Sequence, residues 1–228
     1  METGAASTLS AMATTAESSP TSPLERNWWL RAPAVLVAPR AVFASLRDDS
    51  EEAADERGQQ LAALIWLAGM AGVLATPVAR SLLNQGASPI LIPIWAFIGG
   101  GAYALMVYWL GGGLLFGAAR RLGSLGSYRR ARHLLALSSA PLALSLFAIW
   151  PLRYAIYGEF LFHTGGDDYG TGDQILGALV YAAFVWSGLL LVIGVRAVHG
   201  WSMARSLAAV GLAASLPVLF VIATRVAH

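Results

Sequence analysis

From residue 60 onward the chain is divided into five long apolar runs, at 60–83, 90–119, 133–157, 174–198 and 203–224. A helix needs about 20 apolar residues to cross the hydrocarbon core of a bilayer, and each run reaches that length. The pattern predicts an all-α fold: a polytopic membrane helical bundle of five transmembrane helices. Run 90–119 is longer than one crossing needs and too short for two crossings and a turn. It predicts one tilted or kinked helix.

Composition points the same way. The 228-residue chain is 57% hydrophobic and only 12% charged, about half the charge of an ordinary soluble domain. Cysteine is absent, which removes disulfides, thiolate catalysis and cysteine metal sites. All fifteen basic side chains are arginine, a usage that fits a GC-rich, bacterial coding sequence. A pI near 9.2 would by itself suggest nucleic acid. The arginines, however, flank the apolar runs, as expected for loops beside membrane spans, and no nucleic-acid partner is expected.

Ahead of the runs lie two different zones. Residues 1–27 are rich in Ala, Ser, Thr and Pro and lack the apolar core of a secretory signal. Such a tail buries too little surface to fold and is expected to be disordered. Residues 28–57 form a cytoplasmic amphipathic, interfacial segment. Here Trp28, Trp29, Leu36, Val42, Phe43 and Leu46 alternate with Arg31, Arg40 and Arg47, and Pro33 and Pro39 divide it. Two readings stand: a helix lying among anionic head groups, or a short helix packed on the rest of the protein. The acidic residues 48–57 read as a solvated lead-in, with Ser50 as N-cap and Glu51 and Glu52 favourable to the helix dipole. Residues 58–228 form the transmembrane domain.

Arginine counting sets the orientation. With the N-terminus cytoplasmic, Arg26, Arg31, Arg40, Arg47, Arg57, Arg120, Arg121, Arg129, Arg130, Arg132, Arg196 and Arg205 fall inside. Only Arg80, Arg153 and Arg225 fall outside. The acidic loop 158–173 and the C-terminus are then outside, and the expected location is a bacterial cytoplasmic (inner) membrane. Residues 120–132 become the cytoplasmic turn between the second and third spans. Arg120, Arg121, Arg129, Arg130 and Arg132 are the candidate contacts for anionic phospholipid or a protein partner. Arg80, Arg153 and Arg196 are expected to snorkel from span ends.

The spans lack aspartate, glutamate and lysine near their middles, which argues against a proton relay or pump. No HExxH, GxSxG or intramembrane aspartate pair is present. No enzyme activity, cofactor or metal is expected. Ser138 and Ser139, near His133, are expected to bond back to helical carbonyls rather than act as nucleophiles. His163, Asp167, Asp168 and Asp173 could ligate a cation, but they fit no EF-hand and read as a solvated loop, with Asp173 capping the fourth span. Gly113 and Gly117 form a GxxxG pair for close helix packing, within the bundle or in a homodimer. Pro77, Pro93, Pro141, Pro151 and Pro217 predict local bends, with the third span opening at Leu134–Leu142 and bent at Pro141.

Pro39, Phe43 and Leu46 resemble the "P…F…L" start of the Yip1 domain family. The segment "LLFGAARRLGSLGSYRRARHLLALSSAPL" is similar to the bacterial pattern in that family: an apolar helix end, a Gly-containing basic turn, an aromatic at Tyr128, and a small-residue-Pro element at Ala140–Pro141. The Trp-containing fourth run, its short turn and the small-residue fifth run complete the resemblance, which spans about residues 30–224. It implies a five-span membrane fold. Eukaryotic relatives act in vesicle traffic with Rab-type GTPases. That role is not implied here, because their Asp-Leu-Tyr-Gly-Pro motif is missing before the first span and Leu137–Ser138–Ser139 replace a Gly-Tyr element.

The expected function is a non-enzymatic membrane scaffold or adaptor, engaging a partner or anionic lipid through the basic turn. The alternative is a transporter or permease-like component using the kinked, glycine-rich second span. A lipid-modifying enzyme is disfavoured by topology, since His133 is expected inside and His163 and Asp167 outside.

Overall fold

Local chemistry decides where each helix stops and starts. The computed structural model describes residues 31–48, 50–76, 86, 88, 90–162 and 170–226. The expected disordered tail, Trp28, Trp29, Arg80, His163, Asp167 and Asp168 lie outside these described residues. Two short helices, α1 (Arg31–Val37) and α2 (Pro39–Ala44), are followed by a 3-10 turn, Ser45–Arg47. Pro39 takes the first position of α2, where its missing N–H is harmless. Then come α3 (Glu51–Leu74), α4 (Leu91–Arg121), α5 (Tyr128–Ser138), α6 (Ala140–Tyr157), α7 (Gly170–His199) and α8 (Met203–Val226). No strand occurs among the described residues.

Among the described residues, three helical units are long and apolar enough to cross a membrane: Leu91–Arg121, Tyr128–Tyr157 and Gly170–His199. The apolar stretch of α8, Met203–Leu219, is shorter. Large apolar side chains coat the outside, among them Phe97, Ile98, Leu110, Tyr181, Val185 and Leu216. A continuous apolar exterior of this kind belongs to a surface that meets lipid.

The helix boundaries correct the sequence reading in three places. The first apolar run was expected at 60–83, yet α3 begins at Glu51. The acidic stretch forms the first turns of that helix, as a cap at Ser50 implies, but it is not wholly solvated, since Ala54 and Arg57 in it are buried. Acidic residues suit the first turns because the helix dipole is positive there. Ser50 stands at the N-cap, as expected, without a side-chain capping bond. Its own N–H instead donates to Asp48 Oδ1 at 3.1 Å.

The second place is the basic segment. Arg120 and Arg121 close α4 and Arg129, Arg130 and Arg132 open α5, so only residues 122–127 form the connection. Gly123, at φ +83°, ends α4. Its N–H donates to the Arg120 carbonyl at 3.0 Å, and that of Ser124 to the Ala119 carbonyl at 2.9 Å, the pairing of a Schellman turn. Ser127 then caps α5, its hydroxyl accepting the Arg130 N–H at 3.0 Å. The third place is the fourth run. It starts at Gly170, not at an Asp173 cap; Asp173 lies in the first turn.

Other expectations hold. Run 90–119 is one helix, and its irregularity comes from two π-helical turns, Ala96–Gly100 and Val107–Gly111. The third run breaks between α5 and α6 at Ser139, with Ala140 and Pro141 restarting the helix. Ser138 Oγ donates to the Leu135 carbonyl at 2.7 Å and Ser139 Oγ to that of Ala136 at 2.6 Å.

Between lipid-exposed helices the hydrophobic effect supplies little drive, and close contact must replace it. Helices α3 and α4 meet at Gly69 and Gly100: a Cβ on Gly100 would stand 2.8 Å from Met70 Cα. The N-terminal segment packs rather than floats. Val35, Phe43 and Leu46 are fully buried, with α2 against α7 and α1 against α6. A Cβ on Gly194 would stand 2.9 Å from the Phe43 ring. Phe43 and Leu46, two of the three residues of the "P…F…L" start, thus dock this segment onto the bundle. Of the expected GxxxG pair, a Cβ on Gly113 would stand 3.7 Å from the Tyr128 ring, while Gly117 faces open space.

Candidate functional site

Helices alternate in direction, so one end of the bundle gathers α2, the start of α3, the end of α4, the start of α5, the end of α7 and the start of α8. All the arginines of those segments collect there, and they divide into two sets by what they touch.

The first set satisfies the fold. The last four carbonyls of a helix have no partner within it, and here guanidinium groups supply the missing donors. Arg47 Nε and Nη2 both donate to the Ala197 carbonyl in the last turn of α7, at 3.0 and 2.6 Å. Arg57, 5% exposed, donates to the Ser45 and Asp48 carbonyls at 2.8 and 2.6 Å. Arg130 Nη2 donates to the Arg47 carbonyl at 2.9 Å, and Arg205 Nη2 to the Leu122 carbonyl just past α4. A cation at a helix C-terminus also meets the negative end of the dipole.

Arg132 is held differently. Its guanidinium carbon lies 3.9 Å from the Trp109 ring centre, 4.8 Å from that of Tyr128 and 5.2 Å from that of Tyr108. Tyr108 and Trp109 are consecutive residues of the second π turn, and both rings meet the same cation. Tyr128 is fixed by its hydroxyl donating to the Trp109 carbonyl at 2.7 Å. Gly112 makes the space, since a Cβ there would collide with Arg132 Cγ. An aromatic box of this form holds a cation by its ring quadrupoles.

The second set faces outward. Arg121 is exposed, and Arg120 is exposed with its guanidinium 5.5 Å from the Phe116 ring centre. Leu125, at the tip of the connection, is completely exposed. Arg40 and Arg196 are exposed, and neither guanidinium has a hydrogen bond or ion pair among the described residues. Asp48 is the acidic group at this end whose titration is displaced: the bond from the Ser50 N–H holds its carboxyl below the usual range, with smaller contributions from Arg57 and Arg130.

The five basic candidates read from the sequence therefore do not act alike. Arg130 and Arg132 are engaged in the fold, Arg129 is half-buried in the first turn of α5, and Arg120 and Arg121 are presented. Sequence reasoning missed the capping arginines, whose acceptors lie up to 150 residues away.

At the opposite end an ion pair is buried. Arg153 Nη2 and Asp173 Oδ1 are 2.5 Å apart, with side chains 8% and 18% exposed. This corrects the reading of Arg153 as a snorkelling residue and of Asp173 as a cap: one turn in from the start of α7, the carboxylate faces α6. The pair lines a cavity of about 440 Å³ with Thr76, Trp150, Phe162, Gln174 and Tyr181. Trp150 stacks on Phe162, their ring centres 6.3 Å apart and planes 6° from parallel. No group of three or more metal-ligating side chains occurs among the described residues.

The Yip1 domain matches residues 34–225, from within α1 to the last turn of α8. The chain belongs to the Yip1 domain family. The match includes α2 with Pro39 and Phe43, the arginine-rich end and the Arg153–Asp173 pair, so all of these sit within the Yip1 unit. No curated protein and no solved structure matches the chain significantly.

Proposed function

We propose that this Yip1-family membrane protein is a non-enzymatic scaffold or adaptor with five spans, α3 and α8 included. The arginine-rich end faces the cytoplasm of a bacterial cell and engages an acidic partner surface or anionic lipid through Arg120, Arg121 and Leu125. The observation that carries this reading is the division of the arginines. Those that cap helices or fill the aromatic box serve the fold, and the connection after α4 presents two exposed arginines around an exposed leucine. The charge bias favours this end as the inside. At the middle of the bundle, a cavity of about 280 Å³ is lined by apolar groups with Tyr103, Ser138, Ser139 and Ser187 and by no charged side chain among the described residues, which favours an adaptor over a permease for polar solutes.

The test is two-part. A single cysteine at Leu125→Cys should react with a membrane-impermeant maleimide only after the inner face is opened; labelling of intact cells would overturn the orientation. Arg120→Gln/Arg121→Gln should lose in-cell cross-links or flotation with anionic vesicles while the fold is retained. Unchanged capture in both assays would refute the docking role.

A further inference from the structure

At the arginine-rich end, between α2 and the last turn of α7, lies an open hollow of about 290 Å³. Its lining combines Arg40 from α2, Arg47 from the 3-10 turn and Arg196 from the last turn of α7 with Ile193, Ala197, Gly200 and Trp201. We propose that this hollow binds the phosphate of an anionic phospholipid headgroup.

Three features carry the assignment. First, three guanidinium groups from three separate elements converge on one concavity, and its lining holds no carboxylate among the described residues. Like charges gathered in this way repel unless an anion joins them, and guanidinium forks match phosphate oxygens in pairs. Second, Arg40 and Arg196 have no hydrogen bond or ion pair among the described residues. Arg47 already neutralises the carbonyl end of α7 through Ala197, which lifts the dipole's opposition to a bound anion. Asp48 lies outside the lining, its carboxylate accepting the Ser50 N–H.

Third, one wall is apolar and fixed. Trp201 is half-buried, with the His199 ring centre 4.6 Å from its own and the Arg205 guanidinium carbon 4.4 Å from its ring centre. Ile193 stands one turn deeper along a helix long enough to span a bilayer. Polar above and apolar below is the profile of the headgroup layer, where tryptophan concentrates. A soluble phosphate would use only the arginines; a lipid uses both walls.

The inference rests on the reading of this chain as a membrane protein, but not on which side the arginine-rich end faces nor on docking through Arg120 and Arg121. It is tested in neutral detergent by native mass spectrometry with added phosphatidylglycerol, phosphatidylcholine or inorganic phosphate. Wild type should retain phosphatidylglycerol in preference to phosphatidylcholine. Arg40→Gln/Arg196→Gln should lower that retention on the order of tenfold, from the usual contribution of an arginine at an anionic surface. Arg120→Gln/Arg121→Gln should leave it unchanged. Both hollow arginines are exposed, so the variant should keep its melting temperature. If the double variant does not fold, Arg40→Gln and Arg196→Gln tested singly should each reduce retention. Equal retention of both lipids, equal retention by the folded hollow variants, or displacement of the lipid by inorganic phosphate would each overturn the assignment.

Discussion

The two ends of this bundle handle buried and half-buried arginine by opposite means. At the far end one guanidinium meets one carboxylate in a nearly dry setting, beside a sizeable cavity. At the arginine-rich end Arg47, Arg57, Arg205 and Arg132 are held by carbonyl oxygens and aromatic faces. The difference lies in what is lost when one partner is removed. A charge pair leaves an uncompensated charge behind, whereas a capped helix end loses one donor and can take up water. One end is therefore brittle and specific, the other redundant and tolerant.

The sharpest way to break the contrast is Asp173→Asn. Removing one member of a buried pair typically costs 3–5 kcal/mol, and with Asp173 partly exposed a loss of about 3 kcal/mol is expected, read from denaturant unfolding in detergent. Arg153→Met/Asp173→Leu should recover most of it, because a well-packed apolar pair avoids the desolvation cost. A double variant as unstable as the single one would mean that packing around Trp150, not charge, holds this end.

Arg132→Ala should cost about 2 kcal/mol, combining lost cation–ring contacts and lost packing of the side-chain stem. Arg132→Lys should cost clearly less, since an ammonium still satisfies the rings. Equal losses would show that the planar guanidinium, stacked on Trp109, is required. Arg47→Ala removes two bonds to one exposed carbonyl and should cost about 1 kcal/mol; a loss comparable to that of Asp173→Asn would erase the distinction between the ends. Arg120→Gln/Arg121→Gln should shift stability by less than about 0.5 kcal/mol. Any larger effect on unfolding would move these residues from the presented set to the structural one.

Much of the architecture was legible in the sequence because apolar runs report helices directly. Run 203–224 falls within two residues of α8, and the break expected at Pro141 appears at Ser139, where the proline's missing N–H ends the preceding helix. The start of α3 was legible in the Ser50 cap, but the burial of Ala54 and Arg57 in its acidic first turns was not, because it depends on what packs against them. The candidate arginines were visible as a group, but their division was not. Whether Arg130 caps a distant carbonyl or Arg120 faces solvent depends on which chain ends meet, and no local pattern encodes that. Exclusive use of arginine read as a coding bias. The structure adds a physical component at Arg47 and Arg57, where a planar fork reaches one carbonyl twice or two carbonyls at once, neither of which a lysine reproduces.

The two π turns of α4 carry a consequence for how chains of this family can lengthen and shorten. A turn closed from residue i to i+5 holds one more residue than an α turn, so each acts as an absorbed insertion. Deleting one residue within Val107–Gly111 should restore α geometry while returning the flanking helix to register, at the cost of separating Tyr108 and Trp109 from their common cation. Single-residue gaps in comparisons with relatives are expected to fall at these two turns, and a relative without the second should also lack the boxed arginine.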